Sequence, residues 1–116
     1  MTKTVKILGW LFIVVGVLGF VPALAPNGYL LGIFEVNTMH NIVHLLSGVL
    51  ALVFAARGAS GARAFSKIFG IIYGIVAVIG IASSSVIGLF SVNLADNLLH
   101  VVLALIFLSI GFSKSK

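Results

Sequence analysis

The sequence predicts an all-α fold, a four-helix transmembrane bundle built from two tandem helical hairpins. Three observations predict this fold. Hydrophobic residues make up 61% of the 116 residues and charged residues only 8%, whereas a soluble domain carries about 25% charged residues. Four apolar segments of membrane-spanning length follow one another, and the second pair repeats motifs of the first pair. This composition excludes a soluble enzyme, a DNA-binding module and a secreted disulfide scaffold.

The apolar segments define four spans within a single membrane domain, residues 1–116. Their predicted bounds are about 7–24, 34–56, 67–86 and 90–112. At a helical rise of 1.5 Å per residue, each is long enough for a hydrocarbon layer about 30 Å thick. The first segment also resembles a signal peptide with Ala23-Leu24-Ala25 as its cleavage site, but Pro26 directly after that site disfavours cleavage. We therefore expect all four segments to remain in the membrane.

The positions of the basic residues predict the orientation of the bundle. All seven lie before span 1, between spans 2 and 3 or after span 4: Lys3, Lys6, Arg57, Arg63, Lys67, Lys114 and Lys116. The connections 25–33 and 87–89 carry none. Because cytoplasmic loops of membrane proteins are enriched in lysine and arginine, we expect both termini in the cytoplasm. The same rule accounts for the net charge of +5 without a nucleic-acid partner.

Two blocks of sequence recur in the second half of the chain. KILG at residues 6–9 opens span 1, and KIFG at residues 67–70 opens span 3. NIVH at residues 41–44 of span 2 matches NLLH at residues 97–100 of span 4. The repeat units, about 6–56 and 67–112, hold two spans each. The two halves therefore share an orientation, and we expect a pseudo-two-fold axis along the membrane normal.

Glycines are predicted to let the helices pack closely. Small residues allow close approach in a bilayer, where no hydrophobic force separates helix from lipid. The predicted packing set is Gly9, Gly16 and Gly19 on span 1 with Gly70 and Gly74 on span 3. The spacing of the pair on span 3 is also typical of a homodimer interface, which is the alternative interpretation.

Spans 2 and 4 each carry a stripe of polar residues at helical spacing. Residues at i, i+3, i+4 and i+7 share one helical face, and the two stripes are Asn37, His40, Asn41 and His44, and Asn93, Asp96, Asn97 and His100. Helical rise places His44 about 15 Å deep, near mid-bilayer. Facing lipid, these groups would cost several kcal/mol. We therefore expect both stripes to form one buried polar cluster in the bundle interior.

Four interpretations of this cluster are open. As interhelical glue, its groups would hydrogen-bond across helices for about 0.6–2 kcal/mol each, with His40 neutralising Asp96. As a metal site, it would bind one zinc, iron or manganese ion through His40, His44, Asp96 and His100, since the chain has no cysteine. As a tetrapyrrole site, it would hold haem or chlorophyll through His44 and His100. As a path for protons or small solutes, it would reach only from the outer face to mid-membrane, because the inner part of each helical face carries small, apolar residues.

The two polar stripes resemble those of the bacterial domain-of-unknown-function family 4383, a group of small four-helix membrane proteins. The resemblance rests on FEVN-x2-HN-x2-H at residues 34–44 and VN-x2-DN-x2-H at residues 92–100, and it extends over nearly the whole chain. It implies the four-helix fold and the importance of the stripe residues, and it implies no activity. We therefore expect a multi-pass protein of the bacterial cytoplasmic membrane with a non-catalytic, structural or accessory role, in contact with lipid and with another membrane protein or a second copy. A metal- or haem-binding protein is the alternative.

Overall fold

Four helices form the body of the molecule. The computed structural model describes residues 2–83, 85–86, 88 and 90–113, and in these residues the helices are α1 (Thr2–Leu18), α2 (Thr38–Ala55), α3 (Ala59–Ala82) and α4 (Leu94–Gly111). The predicted all-α class and the four-helix bundle are confirmed. By length and composition, α2, α3 and α4 are able to cross a membrane. With 17 residues, α1 is one residue shorter than α2 and α4, and its crossing stays a prediction.

The outward faces of the helices are apolar. Val78 and Ile81 are each 67% exposed, and Trp10 is 59% exposed. A soluble monomer rarely leaves large continuous apolar surface in water, because each exposed Å² costs roughly 25 cal/mol. These faces therefore suit hydrocarbon, and the bundle is that of a protein embedded in a lipid bilayer.

Short β-hairpins occupy two of the three connections. Each is antiparallel with two residues per strand: β1 (Tyr29–Leu30) with β2 (Phe34–Glu35), and β3 (Ser85–Val86) with β4 (Phe90–Ser91). Both turns contain a glycine with φ of 74°, Gly32 and Gly88, in a region that other residues rarely adopt. Spans 2 and 4 were predicted to begin at residues 34 and 90, but the helices begin at Thr38 and Leu94. The predicted starts were too early because apolar strand residues satisfy hydropathy as well as helical ones do.

The ends of the other two helices also differ from the predicted spans. Span 1 was predicted to reach residue 24, whereas α1 ends at Leu18 and Pro22, which has no backbone N–H to donate, lies in the turns that follow. Span 3 was predicted to begin at residue 67, whereas α3 begins at Ala59. A helix is free to continue past the apolar segment, and its first turns then carry charge, here Arg63.

Glycines bring α1 against α2. A Cβ atom at Gly9 would lie 3.1 Å from the carbonyl oxygen of Gly48, and one at Gly16 would lie 2.7 Å from the Leu45 side chain. Both distances are shorter than ordinary contacts, so the two backbones approach as closely as they do only because these side chains are absent. Gly9 and Gly16 therefore lie at the close contact between α1 and α2.

The second hairpin uses one of its two predicted glycines in the same way. A Cβ atom at Gly70 would lie 2.9 Å from the backbone nitrogen of Leu108 on α4, whereas one at Gly74 would find its nearest neighbour only at 4.0 Å. Gly70 is therefore already packed inside the chain, and Gly74 lies at a looser contact with Ala104 of α4. The homodimer interface at these glycines stays a prediction.

Aromatic rings fill the contact between the two hairpins below the polar stripes. The Phe12 ring stacks on Tyr73 at a centroid distance of 5.4 Å and on Phe107 at 6.2 Å. Phe65 meets Phe107 edge-on at 5.4 Å. These rings are almost completely buried. They therefore form an apolar layer between the polar cluster and the end of the bundle at which α1 and α3 begin.

Charge is separated between the two ends of the bundle. The described basic residues lie at one end, at the start of α1, in the turn after α2 and at the start of α3: Lys3, Lys6, Arg57, Arg63 and Lys67. The two acidic residues, Glu35 and Asp96, lie at the other end. Lys114 and Lys116 lie outside the described residues. The described charges thus have the distribution on which the predicted orientation depends.

Candidate functional site

Two asparagines begin the helices that carry the polar stripes. The Asn37 side chain accepts a hydrogen bond from the His40 backbone N–H at 2.9 Å, and the Asn93 side chain accepts one from the Asp96 backbone N–H at 2.9 Å. Each asparagine is therefore the N-cap of its helix, and both are only half-buried. Asn93 also donates to the Ile33 carbonyl at 2.8 Å. Asn37 and Asn93 thus lie at helix ends. The sequence analysis had predicted them inside the buried cluster.

His40 and Asp96 lie one turn into α2 and α4, and both are buried. The His40 ring donates from Nδ1 to the carbonyl oxygen of Glu35 at 3.0 Å. The Asp96 carboxylate accepts from the backbone N–H of Asn93 at 3.1 Å, which completes a capping box, and it also interacts with the Glu35 backbone N–H. Because a carbonyl oxygen only accepts, this hydrogen bond assigns the proton of the neutral His40 ring to Nδ1 and leaves Nε2 as the atom able to bind a metal.

Asn41 and Asn97 pack against glycines of their own hairpins. A Cβ atom at Gly19 would lie 2.0 Å from Asn41 Oδ1, and one at Gly80 would lie 2.3 Å from Asn97 Oδ1. The Asn97 amide also donates to the Gly80 carbonyl at 3.1 Å. Each amide therefore occupies the space that a side chain would fill at the glycine near the end of the preceding helix. Gly19 thus makes room for the Asn41 amide.

Three histidines meet at the centre of the bundle. Ring centroids are 4.4 Å apart for His40 and His44, 5.8 Å for His40 and His100, and 6.4 Å for His44 and His100. One ring nitrogen from each histidine lies within 4.8 Å of the other two. His40 and His44 come from the first hairpin and His100 from the second. The cluster therefore joins the two halves of the molecule.

The hydrogen-bonding state of His44 is unusual for a buried imidazole. Its exposed fraction is 3%, and within the part of the chain that the structure describes neither of its ring nitrogens has a hydrogen-bond partner. The Nδ1 atom of His100, a residue 1% exposed, has none there either. Buried polar atoms normally have a partner, and leaving one without costs about 1–3 kcal/mol. The histidine cluster thus resembles a set of ligand atoms more than a completed hydrogen-bond network.

Two residues beside the cluster were not predicted from the sequence. Tyr73 of α3 is 2% exposed; its ring lies 5.5 Å from that of His100, and its hydroxyl is 2.9 Å from the Ser47 hydroxyl of α2. The available signal was the isolated tyrosine in the middle of an apolar span, since a phenol that deep needs a hydrogen-bond partner.

Two cavities border the histidine cluster, each of about 240 Å³. One lies on the α2–α3 side and is lined by all three histidines, by Ser47 and by Tyr73. The other lies between α1 and α4, and His44 is the polar residue among those that line it. His44 is therefore the residue common to both cavities.

The donor set suits one transition-metal ion better than a tetrapyrrole. Three imidazoles are a common ligand set for zinc and related ions, with bonds of about 2.0–2.1 Å. Of the four predicted ligands, the structure brings together His40, His44 and His100, while Asp96 lies outside this group. A macrocycle between His44 and His100 would need the space beside them, and the His40 ring is only 4.4 Å from that of His44.

These features define a class, the helical membrane proteins with a buried polar centre, here a trio of histidines shared by two hairpins. The family described as "Domain of unknown function (DUF4383)" matches residues 3–113. The chain belongs to this family, which confirms the resemblance of the two polar stripes. A search of curated proteins and a search of solved structures each found no match.

Proposed function

We propose that this protein is a metal-binding membrane protein in which His40, His44 and His100 hold one divalent transition-metal ion. The observation that carries the proposal is the state of His44, whose two ring nitrogens are buried without a partner in the described residues. An ion would satisfy one of them and remove part of the cost of burying the ring. We propose a non-catalytic role, in which the ion joins the two hairpins as a structural or accessory element.

The hydrogen bonds around the cluster support this assignment. The Nδ1–H of His40 is directed to the Glu35 carbonyl, the arrangement by which metal-bound histidines are commonly oriented. The ligand atoms of three imidazoles around one ion at 2.0–2.1 Å lie about 3.3 Å apart. The observed spread of up to 4.8 Å therefore needs only small side-chain rotations. A fourth position would face Ser47 and Tyr73, which line the same cavity as the three histidines.

Interhelical glue has less support as the purpose of the histidines. That interpretation needs each imidazole to hydrogen-bond across helices, and His44 makes no such bond within the described residues. The glue role fits Ser47 and Tyr73 instead, since their hydroxyls join α2 to α3. The glue role also fits Asn93, which donates to the Ile33 carbonyl and so joins the two hairpins.

We further propose two tandem repeats, a bacterial cytoplasmic membrane and cytoplasmic termini. Three equivalences support the repeats: an asparagine N-cap before each striped helix, an amide seated on a glycine in each half, and a β-hairpin in each outer connection. The gathering of Lys3, Arg57 and Lys67 at one end supports the orientation, since basic residues favour the cytoplasmic side.

The test is the metal content of protein purified in mild detergent without chelator. We expect close to one zinc, iron or manganese ion per chain in the parent, and less than a tenth of that in a variant with His44→Ala and His100→Ala. Asp96→Asn is the matched control because it removes a carboxylate from the same polar stripe, and it should keep the metal. Stripped protein should also gain thermal stability on addition of zinc, by about 2.7 kcal/mol at a hundredfold excess over Kd.

Each other outcome contradicts the proposal. Metal retained by the double variant would place the ion elsewhere, and metal lost from Asp96→Asn would make the carboxylate a ligand. If the parent protein binds no metal, even after incubation with zinc, the histidine cluster has a packing role instead. If the double variant does not fold, His100→Gln, which keeps a polar side chain of similar size, gives the same comparison.

A further inference from the structure

A polar pocket lies in the first hairpin, at the end of the bundle opposite the described basic residues. It has a volume of about 320 Å³ and forms where the chain leaves α1 and enters α2. We call it the amide pocket, after the polar part of its wall, which is Asn37, Thr38 and Asn41. The 18 residues of α2 extend for about 27 Å, close to the hydrocarbon thickness of about 30 Å. In a bilayer the start of α2, and with it the pocket, therefore lies at the depth of the lipid head groups.

The two asparagines of the amide pocket have hydrogen-bond donors that the fold does not use. Asn37 accepts through Oδ1 from the His40 backbone N–H, but its amide nitrogen has no partner in the described residues. Asn41 is 2% exposed, and in that same part of the chain neither of its amide atoms has a partner. Of these two atoms only Oδ1 is fully buried, so Nδ2 is the atom that reaches the pocket. Buried amides normally have partners, and these two therefore indicate a ligand.

The equivalent asparagines of the second hairpin use the same donors within the protein. The Asn93 amide nitrogen donates to the Ile33 carbonyl at 2.8 Å, and that of Asn97 donates to the Gly80 carbonyl at 3.1 Å. The two halves of the chain thus carry the same residue type at both positions, but only the first half leaves the amide nitrogens without a protein acceptor. This difference favours a ligand at the first hairpin over a requirement of the fold.

The start of α2 adds further donors to the amide pocket. The first N–H groups of a helix have no partner within it, and they give this end a partial positive charge. The Thr38 hydroxyl lies at the same point of the wall. Neither acidic residue lines the pocket, and Glu35 interacts with Asp96 of the other hairpin. The pocket therefore combines several donors with no carboxylate in its wall.

We infer that the amide pocket binds a phosphate group. Its oxygens accept hydrogen bonds from the amide nitrogens of Asn37 and Asn41 and from the Thr38 hydroxyl, and its negative charge lies at the start of α2, where helices bind anions through their free N–H groups. Phospholipid head groups and free phosphate ions present the same oxygens, and the experiment separates these two sources. None of the three histidines lines the pocket, so the inference goes beyond the proposed metal site and does not depend on it.

The test is the thermal unfolding of delipidated, metal-free protein in dodecyl maltoside, a detergent without phosphate. The protein is titrated separately with dioleoyl phosphatidylethanolamine, with inorganic phosphate and with dioleoylglycerol, which has the same acyl chains and ester carbonyls but no phosphate. We expect a saturable rise in Tm with a phosphate-bearing probe and none with dioleoylglycerol. A rise with the phospholipid alone identifies a lipid head group as the source, and a rise with inorganic phosphate identifies the free ion.

Three variants locate the phosphate. Asn37→Ser keeps a side-chain oxygen to cap α2 but removes the amide nitrogen, and it should raise the half-saturating concentration about tenfold. Asn93→Ser is the matched control: it makes the same change at the equivalent residue, which does not line the amide pocket, and should leave that concentration unchanged. Thr38→Val removes the hydroxyl of an exposed residue while keeping its shape. It should also weaken binding, and it gives the comparison if Asn37→Ser does not fold.

Three results would overturn the inference. An equal response to dioleoylglycerol would mean that acyl chains or ester carbonyls, and not phosphate, stabilise the protein. A response to phosphate that is the same in the parent, Asn37→Ser and Thr38→Val would place the phosphate elsewhere, such as at the basic end of the bundle. The absence of a response to both phosphate probes would also contradict it. Because the titration uses metal-free protein, its failure leaves the metal analysis intact, and failure of the metal analysis leaves the titration intact.

Discussion

Replacement of Gly80 by alanine tests the packing of the Asn97 amide against α3 most directly. A Cβ atom there would lie 2.3 Å from Asn97 Oδ1 and 2.9 Å from Val92 Cγ2. Asn97 cannot retreat and still donate to the Gly80 carbonyl, a hydrogen bond of 3.1 Å in the native packing. We therefore expect Gly80→Ala to push the amide away from α3 and loosen the second hairpin.

The size of the effect follows from three contributions. Alanine in place of glycine stabilises a helix by about 1 kcal/mol. Forcing an extra methyl group into close packing costs about 1–3 kcal/mol, and the lost amide hydrogen bond costs about 1 kcal/mol more. The expected result is a loss of about 1–3 kcal/mol in the free energy of unfolding.

The same substitution at Gly74 is the control. It lies on the same helix, but its added Cβ would have its nearest neighbour at 4.0 Å. Only the helix propensity then changes, so Gly74→Ala should be neutral or up to about 1 kcal/mol more stable than the parent. Both variants are compared by titrating SDS into mixed micelles and following the loss of helical circular dichroism.

A double-mutant cycle decides whether Asn97 is the cause. With Asn97→Ala as the background, Gly80→Ala should cost at least 1 kcal/mol less than it does in the parent, because the clashing amide is gone. Strictly additive changes would refute the reasoning. So would equal shifts for Gly80→Ala and Gly74→Ala, since the structure gives these positions opposite surroundings.

Two further predictions concern the helix starts and the orientation. Asn37→Ala should destabilise the protein by about 1 kcal/mol through loss of a cap, and Asn93→Ala by about 2 kcal/mol, because Asn93 also donates to the Ile33 carbonyl; equal losses in SDS unfolding would contradict this. In the cysteine-free chain, the proposed orientation, with the basic end of the bundle in the cytoplasm, predicts that Pro26→Cys reacts with an impermeant maleimide on intact cells and Ser60→Cys only after lysis. The reverse labelling pattern would invert the proposed topology.

Hydropathy and helical spacing were sufficient to predict the four helices and the burial of six of the eight stripe residues. They could not separate the residues that begin a helix from those inside it. Asn37 fits the i, i+3, i+4, i+7 spacing, and yet it is an N-cap, because a cap lies three residues before the backbone N–H that it binds. The signal was present at Asn93, where an aspartate three positions later forms a capping box.

The composition of the site was harder to predict, because it depends on how the two hairpins meet. Equal depth alone placed Asp96 with the three histidines, but its carboxylate is drawn to the start of α4 by the backbone N–H of Asn93. Tyr73 lies on a span without a polar stripe, so no periodic pattern pointed to it. Its place beside His100 follows from the packing of α3 against α4 and α2.

The division of the polar residues between two hairpins has a consequence for synthesis. Asn41 is covered by Gly19 of the same hairpin, so it is buried as soon as α1 and α2 come together. His40 and His44 acquire their neighbour His100 only when α4 has been made, about 56 residues after the end of α2. At about 5–20 residues per second, that interval lasts roughly 3–11 s. During that interval the nascent chain contains the packed α1–α2 hairpin, and the His40 and His44 side chains lie on the face that α4 will later cover.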